Sequence, residues 1–189
     1  MTPLPPDLQE VLDQIDAADR DGASLAAPLS EEQFGWQPDG GGSWSVGQCL
    51  EHLAVINVLY GDAVRSGIER AHARGWHRQG PLAPGIFGRW FVRSLEPPVK
   101  LRSRAPGTVH PRAQLPKAEV LRQYHDAHDR VRALVRNAAG IDANRATFQN
   151  PFVRFVRVRV ATGLQVIPAH DRRHLWQARR VIERPDFPR

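Results

Sequence analysis

The sequence predicts an all-α protein in which four long helices form a four-helix bundle. Apolar residues recur at steps of three and four in four separate stretches, the pattern of helices with one buried face. A long irregular segment, residues 75–116, contains seven prolines and separates the second predicted helix from the third. Facing helices of such bundles often direct side chains inward to build metal sites.

Length and composition restrict the class of protein. A chain of 189 residues is near the size of one domain, so we expect a single helical domain over residues 1–189. There is no run of about 18 uncharged apolar residues, and residues 1–7 lack a basic region followed by an apolar stretch. We therefore expect a cytoplasmic protein without membrane contact. The single cysteine, Cys49, cannot form an intrachain disulfide.

The positive charge is concentrated near the C-terminus. Residues 151–189 contain nine arginines and three acidic residues, an excess that equals the net charge of +6 of the whole chain. Such a segment raises the question of nucleic-acid binding. Because the only lysines are Lys100 and Lys117, the arginine bias also fits genome composition, and nucleic acid is not the favoured partner.

The first predicted helix covers residues 7–25, with the apolar positions Leu8, Val11, Leu12 and Ile15 on one side. Residues 28–43 are predicted to be a loop. Its glycine run, residues 40–42, favours a flexible turn over a phosphate-binding loop, because no strand precedes it and no Lys-Ser/Thr pair follows.

The second predicted helix begins at about Val46, because Ser45 and Gln48 match a capping box, and it runs to about Ala73. His52 falls in the middle of its apolar stripe. A lone histidine in that position is usually a hydrogen-bonded core residue.

Residues 86–95 form a short amphipathic segment inside the proline-rich region. We expect a lid that packs its aromatic side chains over one end of the domain. The alternative is an interfacial membrane helix, since basic residues surround the aromatics, namely Arg89, Arg93, Lys100, Arg102 and Arg104. The lid is favoured because so short an apolar face holds a membrane weakly.

The third predicted helix starts near Pro116 and ends before Gly140. His128 lies on its apolar stripe and His125 beside it, so we expect one core and one surface imidazole. Residues 152–160 alternate between apolar and basic, but no partner strand is evident, and we expect a loop or short extension there.

The fourth predicted helix runs from about Ala161 to Ile182, with Pro168 near its start or producing a bend. Its inward stripe is Leu164, Ile167, His170, His174, Gln177 and Val181, and its outward side carries Arg172, Trp176 and Arg179.

Two of these inward residues predict a metal site. His170 and His174 are four residues apart and stack on one helix face. With His52 as a third ligand, the site would keep coordination positions open for water or substrate. Among neighbouring groups, Gln177 and Asp171 are the candidates to assist catalysis, ahead of Glu51. Cys49, one turn before His52, is better interpreted as a core residue than as a fourth ligand.

These motifs resemble a known family. Trp36-Gln37-Pro38, Trp44-Ser45-Val46-Gly47-Gln48 leading to Glu51-His52-Leu53, and His170-x3-His174-x2-Gln177 are similar to the DinB/YfiT-like superfamily of bacterial four-helix bundles, over about residues 8–182. The resemblance implies a divalent metal held by one histidine of the second helix and two of the last, which here are His52, His170 and His174. It also implies metal-dependent hydrolases, or transferases and isomerases that use low-molecular-weight thiols.

The function predicted from these observations is a metalloenzyme of hydrolase or thiol-transferase type with a small-molecule substrate. The ion is expected to be zinc or nickel, with iron or manganese as alternatives. Such a centre can make hydroxide from water near neutral pH or hold a thiol as thiolate. The alternative is a non-catalytic binding protein of the same fold, associated with nucleic acid through its C-terminal arginines. Trp76, Trp90 and Trp176 would fit a homodimer contact.

Overall fold

A computed structural model describes residues 3–99, 109–111, 115–153 and 155–189. The helices in these residues are α1 (Pro6–Ala26), α2 (Glu31–Gly35), α3 (Val46–Ala73), α4 (Gly85–Leu95), α5 (Lys117–Asn137) and α6 (Val160–Ile182). Two short strands, β1 (Thr147–Gln149) and β2 (Arg157–Arg159), lie between α5 and α6. The predicted all-α bundle is confirmed, and its four long helices are α1, α3, α5 and α6.

The four long helices pack so that α1 and α3 each contact both α5 and α6. Side-chain contacts define the directions of these helices. Helices α1 and α5 are antiparallel, since Asp16 pairs with Arg132 and Asp19 pairs with His125. Helices α1 and α6 are parallel, since Gln14 meets Arg172 and Asp21 meets Arg179. Helices α3 and α6 are antiparallel, since His52 contacts His174 and Val64 lies against Gly163. It follows that α3 and α5 are parallel neighbours. The chain must therefore return along the bundle between them, which explains the long segment after α3.

The start of α3 follows the predicted capping box. The Ser45 hydroxyl accepts a hydrogen bond from the Gln48 amide at 3.0 Å, and the Gln48 side chain accepts from the Ser45 amide at 3.0 Å. These bonds satisfy backbone donors that the first turn of a helix leaves free. The helix consequently begins at Val46, which places His52 in its second turn.

The predicted loop over residues 28–43 is wrong in part, because it contains α2. Ser30 and Gln33 form a second capping box there, a signal present in the sequence. Phe34 of α2 is buried and packs on the first turn of α3, where a Cβ on Gly47 would lie 2.6 Å from its ring. The absence of a side chain at Gly47 allows this close contact. The glycine run forms a short turn in which Gly40 and Gly41 adopt positive φ.

The segment before α6 is also corrected by the structure. Residues 157–159 form a strand, β2, which pairs antiparallel with β1; Thr147 opposes Arg159 and Gln149 opposes Arg157. The partner strand has only three residues, too few for its alternation to be recognised. Phe148 anchors the hairpin, since it is fully buried and meets Tyr60 edge-on at 5.3 Å. Arg154 lies outside the described residues.

Helix α6 begins at Val160, and Pro168 lies well inside it. Proline has no N–H to donate to the preceding turn, so the carbonyl of Leu164 lacks its usual helical partner. Pro168 is buried against the bundle, two residues before His170.

The short amphipathic segment is helical, but its aromatic side chains do not pack as expected. In α4, Phe87 is 88% exposed and Trp90 is 65% exposed, so they face away from the bundle, and the expected aromatic lid is wrong. The inner side of α4 is formed by small and aliphatic residues, with Val92 and Leu95 against the core. Lys100, Arg102 and Arg104 lie outside the described residues. In the part of the chain described, no helix has the length and apolar character needed to cross a membrane.

Candidate metal centre

Three histidine side chains meet between the second turn of α3 and the C-terminal half of α6. One ring nitrogen from each of His52, His170 and His174 lies within 4.8 Å of the other two. The ring centroids are 4.5 Å apart for His52 and His174, 4.6 Å for His170 and His174, and 5.3 Å for His52 and His170. Two nitrogens bound to one zinc ion are at most about 4 Å apart. The predicted ligands therefore lie close to the spacing of a single coordination shell.

Hydrogen bonds define which nitrogen two of these rings present. The Nδ1 of His52 lies 2.7 Å from the carbonyl oxygen of Val109, and the Nδ1 of His174 lies 3.0 Å from Oε1 of Gln177. Both oxygens can only accept, so each Nδ1 carries the proton and donates. The Nε2 of each ring then keeps its lone pair for a ligand, the arrangement by which outer partners orient metal-binding histidines.

The third ring supplies a test of whether a metal fits. The Nδ1 of His170 is buried and has no hydrogen-bond partner among the described residues. Leaving a buried polar atom unsatisfied is costly, and a cation bound at this nitrogen would offset that cost. Imidazole nitrogens are good ligands for zinc, nickel, iron and copper. The cluster can hold a divalent transition metal.

Burial also sets the protonation of the cluster. Removal from water, with a smaller contribution from the neighbouring His52, lowers the pKa of His170 to about 3. Burial and the adjacent His170 hold the pKa of His174 well below its ordinary value, and burial lowers the pKa of His52. All three rings are therefore neutral at pH 7. Metal binding requires neutral imidazoles, so little proton release accompanies it there.

Trp44 forms one wall of the site and was not predicted to do so. Its indole stacks on His174 at 5.7 Å between ring centroids and contacts His52 at 4.9 Å. It stands directly before the helix-capping Ser45, a position from which a side chain packs back onto the first turns of α3. The sequence signal for this role is the position of Trp44 directly before the capping box of Ser45 and Gln48.

The proline-rich segment reaches the site through residues 109–111, which the sequence did not single out. Val109 is fully buried and binds His52, and His110 contacts Trp44 edge-on at 5.8 Å between ring centroids. This part of the segment, not the aromatic face of α4, closes over the histidines.

Asp171, predicted to assist catalysis, is directed to a buried polar network beside the cluster. Its Oδ1 accepts from Nδ2 of Asn57 at 3.0 Å, and its Oδ2 lies 3.3 Å from Nε2 of His128, at ion-pair distance but outside good hydrogen-bond geometry. All three side chains are nearly or fully buried. Burial acts to lower the pKa of His128, but the Asp171 carboxylate, together with the Tyr124 carbonyl and Asp19, raises it above the ordinary value. The network thus joins α3, α5 and α6 beside the three clustered histidines.

The remaining candidates do not join the cluster. As predicted, His128 is a core residue and His125 lies nearer the surface. His125 also pairs with Asp19, which was not predicted. Cys49 is fully buried, and burial raises the pKa of its thiol. Among the described residues it is not part of a group that could hold an ion. Its interpretation as a core residue fits these observations.

Comparison with known proteins identifies the family of this chain. The family model described as the DinB superfamily matches residues 6–178. No functionally curated protein and no solved structure matches the chain significantly. The matched region contains all three histidines of the cluster and extends over most of the sequence, so the chain belongs to the DinB superfamily.

Proposed function

We propose that this protein is a metal-dependent enzyme of hydrolase or low-molecular-weight-thiol transferase type. His52, His170 and His174 would hold the ion, zinc or nickel in the first instance and iron or manganese as alternatives. The observation that carries the proposal is the convergence of three neutral imidazoles from two helices. Since no carboxylate or thiol of the described residues completes the set, positions stay open for substrate.

A bound divalent ion would supply Lewis acidity and lower the pKa of a water molecule or thiol beside it. The chain's own residues prepare the site for that chemistry. Val109 and Gln177 hold His52 and His174 in the tautomer that presents Nε2. The indole of Trp44 excludes water from one side and offers an apolar face to a small-molecule substrate.

Two neighbouring residues would extend these roles. Arg173 lies close enough for its positive charge to lower the pKa values of His170 and His174, and the same charge would favour an anionic group on the substrate. Asp171 is fully buried, so we propose that it positions α6 rather than touching substrate.

The alternative, a non-catalytic protein that associates with nucleic acid, has weaker support. Several C-terminal arginines are engaged by acidic residues: Arg172 by Glu96, Arg179 by Asp21, and Arg184 by Asp186 and Asp39. Arginines paired in this way contribute less to a phosphate-binding surface. We also propose that residues 1–189 form one domain in which residues 75–116 are an insertion. A homodimer stays a prediction.

The proposal is tested by elemental mass spectrometry of protein purified without a histidine tag. Wild type is compared with His52→Ala and His174→Ala, and with His77→Ala, an exposed histidine outside the cluster, as the matched control. We expect about one divalent metal per chain in wild type and in the control, and loss in both cluster variants while circular dichroism stays helical. Absence of metal from wild type after incubation with zinc, nickel or manganese would overturn the proposal.

If metal binding is confirmed, the next experiment is an activity screen. Esters, amides and thiol conjugates are the substrates to assay, before and after chelation. Turnover that is lost with a chelator and restored by the ion would identify the enzyme. A fully loaded protein without turnover of these substrates would favour the non-catalytic alternative.

A further inference from the structure

Helix α4 has two apolar sides, and only one of them is covered by the described residues. Its inner side packs on α6, where Gly88 lies so close to Thr162 that a Cβ there would be 2.5 Å from the hydroxyl oxygen. Its outer side presents Ile86, Phe87 and Trp90, which are 76%, 88% and 65% exposed. Large apolar residues are rarely this exposed and adjacent without a binding role.

The surroundings of this outer face are cationic. Arg89 and Arg93 are exposed beside the apolar residues, and neither forms an ion pair with a described residue. Arg159 lies at the N-terminal end of α4, where its guanidinium approaches the carbonyl oxygen of Ala83 at 3.4 Å. The only acidic residue in 77–99 is Glu96, and Arg172 binds it.

We propose that the outer face of α4 binds the surface of an anionic lipid bilayer. Ile86, Phe87 and Trp90 would enter the boundary between headgroups and acyl chains, and the arginines would contact the anionic headgroups. Aromatic residues with adjacent arginines on one short helix are typical of helices that lie in this interface. The contact is peripheral and reversible. The proposal takes up the alternative interpretation of residues 86–95 as an interfacial helix, and it requires no membrane-spanning helix.

A second copy of the chain is a poorer occupant of this face. A free phenylalanine or tryptophan exposes roughly 150–250 Å², so the three side chains together offer about 500 Å². A stable interface needs about 800 Å² from each partner. In addition, an antiparallel pair of α4 helices would bring the arginines of one copy beside those of the other. Like charges in that position oppose association.

The test uses the full chain and vesicles of phosphatidylcholine, with or without about one third phosphatidylglycerol. We expect sedimentation with the anionic vesicles and at least tenfold weaker binding to the neutral ones. The double variant Phe87→Ser/Trp90→Ser should lose binding. Leu59→Ser, which removes an exposed leucine of α3 that is 40% accessible, is the matched control and should bind like wild type.

Two further measurements separate the contribution of the arginines to membrane binding from that of the aromatic side chains. Arg89→Glu with Arg93→Glu should weaken binding at least fivefold for each arginine removed. Tryptophan emission should shift to the blue on binding in wild type, and the shift should shrink in Trp90→Phe, which retains the apolar contact. His52→Ala should bind vesicles like wild type, because His52 does not belong to α4. Vesicle binding and metal binding can therefore fail separately.

Failure of wild type to sediment with anionic vesicles would overturn the proposal. Binding that survives in Phe87→Ser/Trp90→Ser would also overturn it. A concentration-dependent dimer in analytical ultracentrifugation that this double variant abolishes, without vesicle binding by wild type, would assign the face to a second copy instead.

Discussion

The Nδ1 of His52 donates a hydrogen bond to the carbonyl oxygen of Val109 at 2.7 Å, and this bond joins α3 to the proline-rich segment. It determines the tautomer of one predicted metal ligand through a backbone group 57 residues away in the chain. Gln177 does the same for His174 from within α6. Both rings are thus oriented by the protein alone, and this orientation leads to the first prediction.

Replacement of Gln177 by leucine should weaken metal binding by about 10- to 100-fold, because His174 loses the acceptor that orients its ring. Gln177→Glu keeps an acceptor oxygen and should retain most of the affinity. Competition with a chromophoric chelator measures both. Gln123→Leu removes a glutamine that hydrogen-bonds Glu119 on α5, and it should bind metal like wild type. Equal affinity in Gln177→Leu and wild type would contradict the role assigned to this residue.

The network of Asn57, Asp171 and His128 should contribute to stability as a unit. Asp171→Ala leaves a buried His128 without its counter-ion and should lower the free energy of unfolding by about 3 kcal/mol. Asn57→Ala removes the donor to the buried Asp171 carboxylate and should cost about 2 kcal/mol. Urea unfolding of metal-free protein gives both values and that of the double variant. Since the residues share one network, the two effects should not add; strict additivity would mean that the contacts act separately.

The pH dependence of stability should reveal the His128–Asp171 pair. The pKa of His128 is raised above its ordinary 6.5, so the folded state holds this proton more tightly than the unfolded state. The contribution of the pair is therefore complete below about pH 6.5 and is lost as the pH rises through the raised value. The difference in free energy of unfolding between wild type and His128→Gln should be larger at pH 5.5 than at pH 9. A difference in free energy of unfolding that grows with pH would contradict the ion pair.

The thiol of Cys49 should be inert in the folded protein. It is fully buried, and burial raises its pKa, so almost no thiolate is available to a disulfide reagent. We expect no reaction with Ellman's reagent at pH 8 until the protein is unfolded, after which one thiol per chain reacts. Cys49→Ala should bind metal normally. Rapid reaction of the native thiol, or loss of metal in the variant, would restore Cys49 as a candidate ligand.

The sequence by itself determined the long helices and the identity of the three clustered histidines. The periodicity of Leu8, Val11 and Leu12, and the capping box of Ser45 and Gln48, are local patterns that specify where a helix lies and where it begins. The four-residue spacing of His170 and His174 places both on one helix face for the same reason. Short elements are harder to predict from sequence. Helix α2 begins with a capping box but has only five residues, and β1 is too short for its alternation to be distinctive.

Only the tertiary structure decided what surrounds these residues. The contacts of Val109 with His52, of Trp44 with His174 and of Asp171 with Asn57 depend on how separate helices and loops pack. The outward direction of Phe87 and Trp90 is a further case, since α4 is apolar on both sides and its own pattern does not indicate which side faces α6. Periodicity reports the faces of a single element, whereas the choice of partner for each face depends on shape and burial across the whole bundle.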